Sequence, residues 1–415
     1  MKLLVLASDY PYAGHSFAGV FNEKSVSTLC RLCDDVTVLS PRPFVPPLVS
    51  SLLSRWKAYS AATGYEVRNG ITVHRPPYPQ LPGLAGGFCH DQGAFLWCRR
   101  MVQKMHDRMG FHAVLSFDVS GTGVMGWRIG SDLGIPTATW VTGRAPCSSS
   151  QRQAAIRAVT SSDLVFYQSQ DCWESIADLL ETSSTKMAPD RNIILPRGIE
   201  EPPDLPRLEL RKRIRTEWGI AEDQVLVLSI GRIRRDKGLF ELLEALSVVH
   251  ARDQKVTCIV VGSLPAFDDT ALVQKKLRQH PGLEKHVKIL PACNNEKVWE
   301  YLCAADIFAF TSHHEGMPNS LLEAMAMAVP AIAFGIPPVS ELEAGTGALI
   351  TVPPFDTFLF AEAILHLARS PAARFSTAQK GKIQILTRFM VRKNMAHALK
   401  YISGVVEKHD APNGR

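Results

Sequence analysis

The sequence predicts an α/β fold of two Rossmann-like, doubly wound domains. Three observations carry this reading. The chain has 415 residues, too many for one hydrophobic core to be the natural expectation. Short apolar or β-branched runs alternate with stretches of helical period, the signature of a parallel sheet with crossover helices. A proline- and acid-rich stretch, GIEEPPDLPRLELRKR (198–213), interrupts that alternation near mid-chain, as a linker would.

The elements follow in order. Leu3–Ala7 is the first buried strand, and its apolar run is too short for a signal peptide. A Gly-containing loop, DYPYAGHSFAGVF, leads to a helical pattern from about Asn22 to Leu32. DDVTVLS, HAVLSFD (112–118), PTATWVTG (136–143) and DLVFYQS (163–169) are further strands. Helical patterns lie at about 92–108, 121–133 and 151–160. After the linker the alternation is cleaner: QVLVLSIG, VTCIVVG, VKILP, IFAFTS and AIAF are strands separated by helix-period stretches. A last helical pattern covers roughly 391–406.

Composition is that of an ordinary globular protein, 46% hydrophobic and 21% charged. No apolar run reaches the roughly 18 residues that span a bilayer. Nine scattered cysteines show no paired metal spacing, and Cys30 and Cys33 fall in a helical pattern, so a reducing, cytoplasmic setting is expected. The net charge is +6. In 51–110, Arg55, Lys57, Arg68, Arg75, Arg99, Arg100, Lys104 and Arg108 stand against Glu66, Asp91 and Asp107. Leu52, Leu53, Trp56, Phe88, Phe95 and Trp97 are interleaved with them. That mixture fits either a first-domain core with a solvated rim or peripheral contact with an anionic membrane.

Two loops carry chemistry. In LSIGRIRRDKGLFELLEA a strand ends at Gly231 and a helix begins near Gly238, placing Arg232 and Lys237 at the carboxyl end of a parallel strand. Open α/β sheets bind ligands at that edge, and an Arg fork with a Lys charge suits a diphosphate. In IFAFTSHHEGMPNSLLEAMAMA a strand, loop and buried helix follow each other. Gly316 permits a tight turn, Pro318 fits a first helical turn, and Asn319 and Ser320 favour helix starts. The helix end offers backbone N–H groups to an anion. Glu315 before the turn and Glu323 inside the helix can reach hydroxyl groups of a bound ligand. The plain alternative is a basic solvated loop and two acids favoured by the helix dipole.

E-G-M-P-N-S-L-L-E-A-M-A resembles the E-x7-E signature of retaining glycosyltransferases of family four, which have the two-domain GT-B fold. G-R-I-R-R-D-K-G resembles that family's G-R-x-x-x-x-K-G loop, and ILPRGIE (194–200) its I-P-N-G-I-D segment, with Arg197 in place of Asn. The resemblance covers nearly the whole chain, strongly after residue 190. It implies a 1–198 acceptor-side domain and a 199–385 nucleotide-sugar domain facing a central cleft. It also implies a helix in 386–415 that packs back on the first domain.

By the same resemblance Arg232 and Lys237 hold the donor diphosphate, beside Gly231, and Glu323 binds the ribose. Glu315 contacts the donor sugar. The amides of Gly316, Met317, Pro318, Asn319, Ser320 and Leu321 line the sugar and distal phosphate. Pro291 and Ala292 lie against the base, and Gly14 and Gly19 let the first-strand loop approach phosphates and acceptor. The donor is a nucleotide-diphosphate sugar, a UDP-sugar first among the candidates, used without cofactor or metal. The acceptor is a glycan, a lipid-linked glycan or a small molecule. One departure stands out: Val141 occupies the place of a first-domain His in the family's T-x-H-G-like segment, and Ala145 that of a frequent Asp. Thr142, Arg144 and Asp118 are the candidates for that contact. A nucleotide-sugar epimerase of related fold and an inactive carbohydrate-binding protein are the competing readings.

Overall fold

The computed structural model describes residues 1–13, 19–44, 62–79, 93–183, 189–263, 268–280 and 282–411. The chain forms two compact units: residues 1–197 together with 391–415, and residues 198–390.

The first unit holds a sheet of eight strands in the order β10-β9-β8-β7-β1-β2-β5-β4. Its strands are β1 Lys2–Ala7, β2 Asp35–Leu39, β4 Tyr65–Arg68, β5 Ile71–His74, β7 Ala113–Phe117, β8 Thr137–Val141, β9 Leu164–Tyr167 and β10 Asn192–Ile194. All neighbours are parallel except the hairpin β4–β5. That hairpin turns on Asn69 and Gly70, both at positive φ (51° and 78°), as a two-residue Asn-Gly loop requires. A small parallel pair, β3 Arg42–Phe44 with β6 Pro77–Pro79, lies beyond β2 and β5 in the chain. β1 and β7 are neighbours although five strands of the described chain, β2 to β6, lie between them in sequence, so the topology reverses there.

The chain leaves the second unit at Met390 rather than at 385, because helix Pro371–Arg388 runs through that position. Helix Val391–Asp410 then joins the first unit. Its Val391, Met395, Ala398, Leu399 and Ile402 share one core with Leu3, Val5, Val26, Leu29 and Phe166. Asn394 fixes its start by donating to the Pro196 carbonyl at 2.8 Å.

The second unit holds six parallel strands in the order β13-β12-β11-β14-β15-β16. They are β11 Val225–Ile230, β12 Val256–Ser263, β13 Val287–Pro291, β14 Ile307–Phe310, β15 Ala331–Phe334 and β16 Ile350–Val352. Strands β14 and β15 are buried along their whole length, which is why they read as continuous apolar runs. The strand order reverses between β11 and β14. Asp306 ties those two strands at their amino ends: it accepts the Leu226 N–H at 2.8 Å and ion-pairs with Arg211 (2.6 Å) and Arg215 (2.9 Å). The helices Pro337–Glu343, Thr357–Arg369 and Pro371–Arg388 complete this unit.

Cys33 lies just past the end of helix Val20–Cys30 rather than on it. The eight described cysteines are all free thiols. Burial pushes the Cys33 thiol up to about 11 and that of Cys98 to about 12, so both pack as inert apolar groups.

Candidate active site

The site is built where the second sheet changes direction. Loop 231–238 follows β11, and loop 311–318 follows β14. Because the strands are adjacent and parallel, both loops leave from the same edge. They are held together closely. The Thr311 hydroxyl donates to the Lys237 carbonyl at 3.2 Å, and the His313 N–H donates to the Asp236 carbonyl at 2.9 Å. Gly238, at φ +67°, is the contact point: a Cβ there would stand 1.8 Å from the Thr311 carbonyl oxygen. Only glycine meets both the backbone angle and the spacing.

Side chains bridge the same gap. The Lys237 ammonium donates to Glu315 Oε1 at 2.7 Å, and the Ser312 hydroxyl donates to the same oxygen at 2.8 Å. Lysine and glutamate come from different loops, 78 residues apart, and meet over the switch point. Asp236 orients the outer rim, pairing with Arg234 at 3.0 Å and lying 3.7 Å from His314 Nε2. His313 Nε2 lies 3.3 Å from Glu241, and its ring is 4.6 Å from that of Phe355. Arg232 is exposed beside Gly231, at the mouth of the loop.

Helix Asn319–Ala326 begins directly after loop 311–318. Its apolar residues Leu321, Leu322, Ala324 and Met325 are fully buried, which fixes the helix end against the sheet. Glu323 is 7% exposed and lies in the helix behind Glu315. The expected row of amides is shorter than the sequence suggested. Pro318 has no N–H, and the Asn319 N–H is already donated to the Met317 carbonyl at 3.0 Å. Gly316, Met317, Ser320 and Leu321 carry the remaining N–H groups of that row. Pro291 and Ala292 lie at the carboxyl end of β13, on the same sheet edge, two strands from β11.

In the first unit Gly19 caps helix Val20–Cys30 at φ +61°, and a Cβ there would stand 2.1 Å from the Asp9 carbonyl oxygen. Gly14 lies outside the described residues. Val141 is fully buried among Val119, Ala155 and Tyr167, so it presents nothing to a ligand. Thr142, the next residue, is half-buried at the end of β8, and Arg144 is ion-paired with Asp171. Arg197 is buried. It donates to Asn22 Oδ1 at 2.6 Å and to Gln168 Oε1 at 3.2 Å, and lies 5.0 Å from the rings of both Phe21 and Phe117. Burial pushes its pKa down to about 9, against the opposing pull of Asp118. Asp118 itself directly follows β7, at φ +123°, and accepts the Ser120 N–H at 3.2 Å.

Relatives fall in line with this geometry. Residues 211–384 match the family model described as glycosyl transferases group 1. The Bacillus subtilis protein TuaC, named for teichuronic acid biosynthesis, is 30% identical over 348 residues, 82% of this chain and 83% of its own. The capsular polysaccharide biosynthesis glycosyltransferase CapM of Staphylococcus aureus is 25% identical over 175 residues, 41% of this chain and 43% of its own. Among solved structures, Anabaena HepE in complex with UDP and glucose superposes with a TM-score of 0.73 at 18% identity, over 97% of this chain and 99% of that one. The fold and the paired loops define a GT-B glycosyltransferase. The chain belongs to the group 1 glycosyltransferase family.

Proposed function

We propose that the protein is a retaining, metal-independent glycosyltransferase of polysaccharide or glycoconjugate biosynthesis. It moves a sugar from a nucleotide-diphosphate sugar, a UDP-sugar first, to a glycan or lipid-linked acceptor. The observation that carries this reading is the Lys237–Glu315 pair across the switch point, 2.7 Å apart. A lysine there neutralises a departing diphosphate, and a glutamate beside it orients sugar hydroxyls. Electrostatics set in place before reaction stabilise the leaving group and the oxocarbenium-like centre. The leaving phosphate takes the acceptor proton on the same face, so no side-chain base is needed. The names of TuaC, CapM and the Erwinia amylovora amylovoran biosynthesis glycosyltransferase AmsD support a polysaccharide product, and the UDP bound in HepE supports the donor.

The test is release of nucleotide diphosphate from a panel of nucleotide sugars, with and without acceptors and with and without a chelator. The anomeric configuration of the product is then read by NMR. An inverted product, or activity abolished by chelation and restored by metal, would overturn the mechanism.

The two glutamates separate by ligand. Glu323→Gln is expected to weaken binding of both free nucleotide diphosphate and intact donor by roughly tenfold, the value of one hydrogen bond to a charged group. Glu315→Gln is expected to leave free nucleotide binding within about twofold and to impair the intact donor. Calorimetry with both ligands decides; equal effects of both substitutions on both ligands would remove the division of roles.

Peripheral membrane contact belongs to the same reading. Arg75 and Phe95 are buried, and Leu52, Leu53, Trp56, Phe88, Arg55, Lys57 and Asp91 lie outside the described residues. Among the described residues, helix Ala94–Met109 carries this mixture. It exposes Leu96 and Trp97 (66% and 62%) beside Arg99, Arg100, Lys104 and Arg108. Basic residues close to an anionic leaflet contribute about 1 kcal/mol each. Reversing Arg100 and Lys104 to Glu is expected to weaken sedimentation with anionic vesicles by tenfold or more, since the loss of the two basic charges alone is worth roughly 2 kcal/mol. Vesicle binding unchanged by the reversal, or insensitive to salt, would leave this helix without a membrane role. Among the described residues no helix is long and apolar enough to cross a membrane.

A further inference from the structure

We infer that Ser312 is a positioning residue for the transfer: its hydroxyl keeps hold of Glu315 while Lys237 is shared with the diphosphate. The part played by Glu315 rests on the proposed function; the hydrogen bond to it does not. Ser312 is 3% exposed. Its hydroxyl donates to Glu315 Oε1 at 2.8 Å, the same oxygen that accepts the Lys237 ammonium at 2.7 Å.

The two donors differ in what else is asked of them. The Lys237 ammonium rides on a flexible four-carbon stem. In the proposed reaction it also faces a diphosphate whose charge grows as its bond to the sugar breaks. Its hold on Glu315 weakens at that moment. The Ser312 hydroxyl carries no charge for a phosphate to draw away. Its backbone is also pinned on both sides. Thr311, on one side, donates its hydroxyl to the Lys237 carbonyl at 3.2 Å and packs its own carbonyl against Gly238. His313, on the other, donates its N–H to the Asp236 carbonyl at 2.9 Å. A buried hydroxyl on a fixed backbone, bonded to a carboxylate, is a charge-assisted contact shielded from water.

The pairing also assigns the two carboxylate oxygens. Oε1 is taken twice, by Ser312 and Lys237. Among the described residues none donates to Oε2. Oε2 is therefore the oxygen that accepts a sugar hydroxyl, and Ser312 fixes which oxygen that is. In the free protein Lys237 still steadies Glu315, so the loss of Ser312 is felt most when the leaving group draws on the lysine. An interaction of that kind acts on kcat more than on binding.

The experiment uses full-length Ser312→Ala, Ser312→Thr, Glu315→Ala and the double variant Ser312→Ala, Glu315→Ala. The probes are the nucleotide sugar that the native protein cleaves fastest and its free nucleotide diphosphate. Ser312→Ala is expected to slow single-turnover donor cleavage by roughly tenfold, the scale of one hydrogen bond to a charged group. KM and free nucleotide binding should stay within about twofold. Ser312→Thr, which keeps the hydroxyl, should recover most of the rate. On the Glu315→Ala background, adding Ser312→Ala should change the rate by less than about twofold, since the two act as one unit. A single-turnover rate for Ser312→Ala within about twofold of native overturns the role. So does a full further loss on the Glu315→Ala background, or an equal loss of donor and free nucleotide binding with an unchanged rate. Denaturant unfolding of the same four proteins tests the contact without any turnover. The double variant should be less destabilised than the sum of the two single ones, and strict additivity would show that Ser312 does not hold Glu315. A native protein that cleaves no nucleotide sugar would refute the proposed function, and the unfolding cycle would still decide the Ser312 contact.

Discussion

Lys237→Ala is expected to lower turnover by about 10²–10³, the loss seen when one preset donor to a developing oxyanion is removed. Two effects add. The departing diphosphate loses the ammonium that neutralises its growing charge. Glu315 also loses the cation 2.7 Å from its Oε1, leaving only Ser312 on that oxygen, so its carboxylate is freed to move and to repel the phosphates. Arg232→Ala should fall in the same range through the first effect alone. Lys237 sits in a short turn of loop, and its side chain reaches only Glu315, so thermal midpoints should shift little. Single-turnover donor cleavage measures the loss. Near-normal rates in either variant would remove that residue from the chemistry.

Gly238→Ala is expected to have the largest effect on stability, about 2–4 kcal/mol by denaturant unfolding, because backbone strain and a steric clash act at one position. The added methyl would enter the Thr311 carbonyl, and the residue would hold φ +67° without glycine's freedom. The loops must part to admit it, which lengthens the Lys237–Glu315 pair and lowers activity along with stability. Gly231→Ala is the contrast. Nothing lies within 4 Å of a Cβ there, so the fold should be unaffected to within about 0.5 kcal/mol. A large activity loss in that variant would show that the ligand passes close to this backbone. Equal stability of the two variants would mean that the loop contact at Thr311 does not constrain the fold.

Much of this site was legible in the sequence because its residues are local to strand ends. Arg232, Lys237, Glu315 and Glu323 each lie within a strand–loop–helix unit whose parts are continuous in the chain, and parallel strands bring those units to one edge. The β4–β5 hairpin was missed, although Asn69-Gly70 between two short β-branched runs is a signal for it. The fate of Arg75 was not legible. Arginine after a strand reads as a solvated charge, and only contact with Pro11, 64 residues away, shows it to be interior. Val141 shows the same limit in reverse: alignment with a family segment placed it near the sugar, while the pleat of β8 points it into the core. The Asn319 N–H was counted among the free amides because a turn's internal hydrogen bond has no signature in residue type.

The helix Val391–Asp410 sets an order of events for the growing chain. The first domain lacks one wall of its core until that helix, the last described element, has been made. The second domain is continuous from 198 to 390 and has all its parts earlier. On the ribosome, the half that begins first is therefore the half that finishes last. Its unfinished face, with Leu3, Val26 and Leu29, stays uncovered throughout synthesis of the other. A stop before residue 391 should yield a protein whose second half is folded and whose first half is captured by chaperones or lost to aggregation.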